Sequence, residues 1–455
     1  MLEDTIAAIA TPIGESGLAV IRVSGPMCFS VVDKCFVPAG KSATTSEATS
    51  HTLHYGHVMR EGRVIDEVLV AVMKAPRSFT REDVVEITCH GGMLPARSVL
   101  DAVLESGARL AMPGEFTRRA FMNGRIDLTQ AEAVMDLIHS RTRLAMAAAN
   151  QQLAGRLSQR VNLLRDDLMR TLAHLEVCID FPEEDIAPET SEAMAVSLGN
   201  GIDSVEQLLL TADQGRILRG GIRASIIGRP NAGKSSLLNQ MLQNERAIVS
   251  PVPGTTRDTI EETANVLGLP VILVDTAGLR DSGDDIEREG MRRTRQSCET
   301  AELVLHVLDS SEEFAEADAR FIEEFAGKKR ILVRNKCDLP IRLHLPGDLP
   351  GPIVDVSCVS GRGIEELRSA IKDLVWSGEV RADMVDVMIN ARHQDALTRA
   401  RASLQRAMEA LQGGATPELV AVDLRAAVNA AGEIVGKTAT EDLLDMIFSQ
   451  FCIGK

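Results

Sequence analysis

The plainest chemistry in the chain lies in one octapeptide. Gly228-Arg229-Pro230-Asn231-Ala232-Gly233-Lys234-Ser235 fits the phosphate-binding pattern G-x-x-x-x-G-K-S, between an apolar run that predicts a strand and a segment that predicts a helix. Glycines let backbone amides turn inward around a β-phosphate, and a helix N-terminus adds positive potential there. Lys234 is placed to reach the β- and γ-phosphates and Ser235 to ligate Mg²⁺, with Asn231, Ala232, Gly233 and Ser236 completing the phosphate contacts. Base identity comes from Asn335-Lys336-Cys337-Asp338: a carboxylate at Asp338 accepts from both N1–H and the exocyclic amine of guanine, a donor pair that adenine lacks. Ser357-Cys358-Val359 stands where a backbone amide meets the guanine O6.

Two further motifs concern hydrolysis. Asp275-Thr276-Ala277-Gly278 closes an apolar run; Asp275 is expected to hold Mg²⁺ through water and the Gly278 amide to sense the γ-phosphate. Gly254-Thr255-Thr256-Arg257-Asp258 supplies a switch-like threonine, and Thr256 is the choice for the second Mg²⁺ ligand. Leu279 stands where many GTPases carry a water-orienting glutamine, so that task must fall elsewhere. The carboxylates of Asp281, Asp284, Asp285, Glu287 and Glu289 follow at once. Four motifs in this order read as a GTPase.

The elements that must position these residues are legible in outline. From ~220 to 376, short apolar runs at Ala224–Gly228, Val271–Asp275, Leu303–Asp309, Ile331–Asn335 and Ile353–Ser357 alternate with helical segments, the pattern of a doubly wound parallel sheet. Before ~120, strand-like runs at Leu18–Gly25, Val68–Met73 and Val84–Thr88, with a loop over Gly40–Ser50, predict a mixed α+β domain. Leu153, Leu157, Val161, Leu164, Leu168, Leu172 and Leu175 keep one face of a long helix that Phe181-Pro182 ends. Leu397, Ala400, Leu404, Met408 and Leu411, then Leu443, Leu444 and Ile447, restore the helical period. The economical arrangement is one helical domain with the α/β unit inserted: 1–122, 123–218, 219–377 and 378–455.

Composition bounds the rest. The 455 residues carry 49 Lys+Arg against 65 Asp+Glu, net −16, which argues against nonspecific coating of nucleic acid while leaving room for a local basic patch. No stretch approaches ~18 consecutive apolar residues, so a cytoplasmic protein without membrane contact is expected. The eight cysteines are scattered singly, without C-x-x-C pairs, and predict reduced thiols.

Taken with P-G-E-F-T-R-R-A-F at 113 and the terminal Phe451-Cys452-Ile453-Gly454-Lys455, the G motifs resemble the MnmE (TrmE) family of tRNA-modification GTPases, within the TrmE-Era-EngA-type GTPases, over the whole chain. The resemblance implies an N-terminal α+β domain for tetrahydrofolate binding and dimerisation, an all-α helical domain, an inserted α/β P-loop domain and a homodimer. It implies a flavoprotein partner, MnmG (GidA), with which a carboxymethylaminomethyl-type group is built at C5 of the wobble uridine of certain tRNAs from a tetrahydrofolate one-carbon unit such as that of 5-formyltetrahydrofolate. Hydrolysis in such proteins is activated by K⁺-dependent pairing of G domains. Carried over, Asn231 ligates K⁺ by its side chain and Ser250, Val252 and Thr255 by their carbonyls, Ser250 and Thr255 also lying against the GTP. Glu287 orients the water network and completes a catalytic set with Lys234 and Asp275. Arg22, Glu86, Arg125 and Lys455 are the folate residues, and Cys452, beside Lys455, is open to a chemical or a positioning role. A second reading, a ribosome-assembly GTPase of the Era or Der kind, shares the G motifs but leaves P-G-E-F and C-I-G-K unexplained.

Overall fold

The computed structural model describes residues 4–40, 43–181, 191–243, 261–274, 295, 297–347, 349, 351–376 and 387–455. The chain divides into two compact units: one from Met1–Met135, Ser158–Ser191 and Glu409–Lys455, the other from Asp136–Leu157 and Glu192–Met408.

In the first unit a seven-stranded sheet is built from β1 (Ile6–Ile9), β2 (Leu18–Ser24), β3 (Phe36–Pro38), β4 (Thr52–Arg60), β5 (Arg63–Met73), β6 (Val84–His90) and β7 (Arg109–Leu110). The order is β3-β4-β5-β6-β2-β1-β7, antiparallel except for β1 with β7. Alternation decides what each face does. Ala19, Ile21 and Val23 of β2 and Val85, Ile87 and Cys89 of β6 pack with α1 (Cys28–Cys35) and α2 (Met93–Glu105). Arg22 and Glu86, register partners across β2 and β6, therefore fall on the opposite face. There the chain adds α3 (Glu115–Met122), whose Phe116 is fully buried with Ile6, Ala8 and Ala111.

Helices α4 (Leu128–His139), α5 (Arg143–Leu153), α6 (Arg156–Asp180), α7 (Ser191–Leu209) and α8 (Ala212–Gly220) follow. Leu157, Val161, Leu164, Leu168, Leu172 and Leu175 of α6 are buried as the spacing predicts. Leu153 is not on that helix: Gly155 takes φ +85° and the chain breaks between α5 and α6, because apolar spacing carries across a short break without registering it.

The second unit holds a six-stranded sheet of β8 (Ile222–Ile227), β9 (Glu261–Val266), β10 (Leu269–Val274), β11 (Leu303–Asp309), β12 (Lys329–Asn335) and β13 (Ile353–Asp355), ordered β13-β12-β11-β8-β10-β9. It is parallel apart from β9, an antiparallel edge strand whose sequence has no continuous apolar run. Helices cover both faces. Leu237 and Met241 of α9 (Lys234–Gln243) and Leu367 and Ile371 of α11 (Ile364–Val375) share one core, while Phe321 of α10 (Glu316–Glu324) packs with Ile227 and Val304 in another. The helical period then returns in α12 (Ala391–Gln412), α13 (Pro417–Val435) and α14 (Glu441–Phe448). Of these, α13 shows no leucine spacing; its core face is mostly alanine and valine.

Candidate nucleotide and anion sites

The phosphate loop runs from the end of β8 into α9. Gly228 has φ +143°, and a Cβ there would lie 2.2 Å from the Val307 carbonyl; Gly233 has φ +97°, and a Cβ would lie 2.1 Å from Asn335 Nδ2. Both positions exclude side chains, which is the physical content of the motif's glycines. Lys234 Nζ donates to the carbonyls of Gly228 and Arg229 at 3.0 and 2.9 Å, so its ammonium arches over the loop. Ser235 and Ser236 are exposed in the first turn of α9, and Asn231, exposed, takes φ +60°.

Asn335 does something the tetrapeptide N-K-x-D could not disclose. Its Nδ2 donates to Ala232 O at 2.9 Å and its Oδ1 accepts from the Cys358 amide at 3.2 Å, so one buried amide braces the phosphate loop against the 357–359 loop. Gln240 of α9 adds a bond to Cys358 O at 2.8 Å. Lys336 pairs with Asp309 at 2.5 Å; burial pushes that carboxyl up, but bonds from Lys336 and Ser311 outweigh it and hold it below its ordinary value. Asp338 is exposed and free to face a base edge. Burial, then the Asp338 and Cys337 charges, push the Cys358 thiol up to about 11, which keeps it neutral. Ser357 is buried and Val359 wholly open. Ser250, Val252, Thr255, Thr256, Asp275, Thr276, Ala277, Gly278 and Glu287 lie outside the described residues.

A second cluster forms in the first unit. Arg22 Nε donates to Glu86 Oε1 at 2.8 Å and Nη1 to Gly454 O at 3.3 Å, with the guanidinium 5.8 Å from the Phe79 ring and 5.7 Å from that of Phe116. Arg125 stands 5.0 Å from the same Phe79 ring and donates to Ser78 O at 2.6 Å; burial and then Arg81 lower its pKa. The chain end is drawn in: Gly454 has φ +92°, a Cβ there would lie 2.4 Å from Ile9 O, and the Phe116 amide donates to Lys455 O at 3.2 Å. Gly114 completes the dock, its amide donating to Cys452 O at 3.4 Å. Burial, then Arg22, lower the Lys455 pKa against the opposing pull of Glu86 and Cys452. Cys452 itself is exposed. The structure thus joins P-G-E-F at 113 to C-I-G-K at 452. It also adds Phe79 and Phe116, which sequence reasoning did not single out, although Phe116 sits inside the quoted motif.

Three cations, one carboxylate and two aromatic rings are the complement of a planar, polar ligand that also bears negative charge. The loop, the N-K-x-D strand end and the sheet order define a P-loop protein of the guanine-nucleotide-binding class. The N-terminal family model of the GTP-binding protein TrmE matches residues 5–125, and the MnmE helical domain model matches 128–452. The protein is 47% identical to the tRNA modification GTPase MnmE of Bacillus velezensis over 99% of this chain and 100% of that one. It is 44% identical to that of Thermoanaerobacter pseudethanolicus and 48% to that of Chloroflexus aurantiacus, in both over 100% of each chain. The chain belongs to the MnmE family of tRNA modification GTPases. End-to-end likeness to these relatives sets the Era or Der reading aside.

Proposed function

We propose that the protein hydrolyses GTP to drive the building of a carboxymethylaminomethyl-type group at C5 of the wobble uridine of certain tRNAs, working in the cytoplasm with the flavoprotein MnmG. The carrying observation is the docking of Gly454-Lys455 on β1 and Phe116, which brings Lys455 to Arg22 and Glu86. That arrangement fits a tetrahydrofolate: Glu86 would accept from the pterin's amine edge, while Arg22, Arg125 and Lys455 would receive carboxylate or formyl oxygens. When bound, the folate supplies the one-carbon unit. Cys452, exposed beside Lys455, is placed to position the tail or to act as a thiol.

In the G domain, taken as 219–377 within a helical domain of 123–218 and 378–455, Lys234 would neutralise phosphate charge and Ser235, with Thr256, would hold Mg²⁺. Asp338 would select guanine. Asn231, exposed on the loop at φ +60°, would contribute to a K⁺ site with Ser250, Val252 and Thr255, Glu287 would order the attacking water, and Asp275 would hold Mg²⁺ through water. Pairing of two copies through the 1–122 domain is supported by an outward apolar face on β4 and β5, where Leu53, Tyr55 and Leu69 are exposed. Among the described residues no helix is long and apolar enough to cross a membrane.

Nucleoside analysis by mass spectrometry tests this reading. Deleting the gene should remove C5-carboxymethylaminomethyl-type wobble uridines from tRNA, and expression of the chain should restore them. Unaltered nucleosides in the deletion strain would sink it.

A further inference from the structure

Arg229, the first variable residue of the phosphate loop, is gripped from outside the nucleotide motifs. Its Nε lies 3.0 Å from Asp318 Oδ2 and its Nη1 3.0 Å from Glu312 Oε2, and its Nη2 donates to Glu313 O at 3.1 Å. Its own carbonyl accepts from Lys234 Nζ at 2.9 Å and from the Ala232 amide at 3.4 Å. The guanidinium therefore anchors the same peptide on which the loop's lysine rests.

Of the two carboxylates, Asp318 is the stronger hold. The Glu312 side chain is 56% exposed and its pairing is screened by water, whereas Asp318 is entirely buried. Asp318 Oδ2 also accepts from the Ala315 amide at 3.1 Å, which fixes it to the start of α10. Its other oxygen has no hydrogen-bond partner among the described residues, and neither has either ring nitrogen of the buried His306 on β11, 3.9 Å away. Burial, against the pull of Asp318, lowers the pKa of His306, so the imidazole stays neutral and is no counter-charge. A core that sought only stability would place an apolar side chain here rather than a half-satisfied carboxylate.

We propose that Asp318 is a positioning residue for the phosphate loop, acting through Arg229 to hold the Arg229–Lys234 backbone in the form that receives a nucleotide diphosphate. This rests on reading the loop as a guanine-nucleotide site. None of the nucleotide motifs read from the sequence includes Asp318; it is reached only through the fold.

The test uses the full-length chain with fluorescent GDP and with GTP under turnover. Arg229→Ala and Asp318→Asn should each raise Kd and KM about tenfold, with kcat within twofold of wild type. Their losses should not add in the double variant, Arg229→Lys should recover part of the affinity, and Glu312→Gln should change Kd less than threefold. Full affinity in Arg229→Ala, whose side chain is partly exposed, would overturn the proposal even if Asp318→Asn failed to fold. Additive losses in the double variant would overturn it too. Wild-type protein that binds no guanine nucleotide would instead overturn the reading of the loop, a result distinct from wild-type binding that the variants leave unchanged.

Discussion

The two candidate sites are assembled in opposite ways. The phosphate loop is one continuous stretch, Gly228 to Ser236, shaped by its own glycines and delivered by one strand into one helix. The Arg22 cluster takes single residues from β2, β6, the loop between β5 and β6, α3, the turn after it and the chain end, and has no local shape at all. A contiguous site fails first at its own residues and then at the few side chains, such as Asn335 and Asp318, that brace it. A dispersed one fails wherever any contributing segment shifts.

That contrast can be broken most severely at Gly233. With φ +97° and Asn335 Nδ2 2.1 Å from where a Cβ would sit, Gly233→Ala should weaken guanine-nucleotide binding by about 100-fold. Calorimetric titration with 5-formyltetrahydrofolate should show that the other site is untouched; loss at both sites would mean the contrast is false. Gly454→Ala is the counterpart. Its Cβ would meet Ile9 O at 2.4 Å and lever Lys455 away, so folate affinity should fall about tenfold while the nucleotide Kd holds. Retained folate affinity would show that the tail is dispensable.

The smallest effect sharpens the comparison through pH. Burial and Arg22 depress the Lys455 pKa, so raising the pH removes its proton earlier than from an ordinary lysine. Folate affinity in wild type should therefore drop a fewfold on approaching the usual lysine range from below, and Lys455→Arg, which keeps its charge, should flatten that drop. Identical pH profiles for the two proteins would show that Lys455 does not contact the ligand's charge.

The same contrast explains what could be read from sequence. Contiguity made the phosphate loop and N-K-x-D legible, and the burial alternation of the strands was visible as apolar runs. Asn335 was legible as a member of a motif but not as the brace between Ala232 and Cys358, because that role exists only once β12 lies within reach of both loops. Residue by residue, Arg22 and Glu86 look like surface charges; only the register of β2 with β6 makes them a pair, and only family resemblance named them beforehand. β9 escaped because an edge strand with polar residues shows no continuous apolar run, although Ala264 and Val266 are buried on it. Gly155 shows the opposite failure, an apolar period that ran straight through a break in the helix.

The docked tail also sets a timetable for biosynthesis. Arg125 is made 330 residues before Lys455, and Glu86 and Arg22 earlier still, a delay of at least roughly 15 to 65 s at ordinary elongation rates. The N-terminal sheet can fold within that interval, yet Phe116 and Ile9 meet Lys455 and Gly454 only after those two residues have been made. A chain stopped before Gly454 would carry a folded first domain in which Arg22, Glu86 and Arg125 lack the Gly454 carbonyl and the Lys455 ammonium.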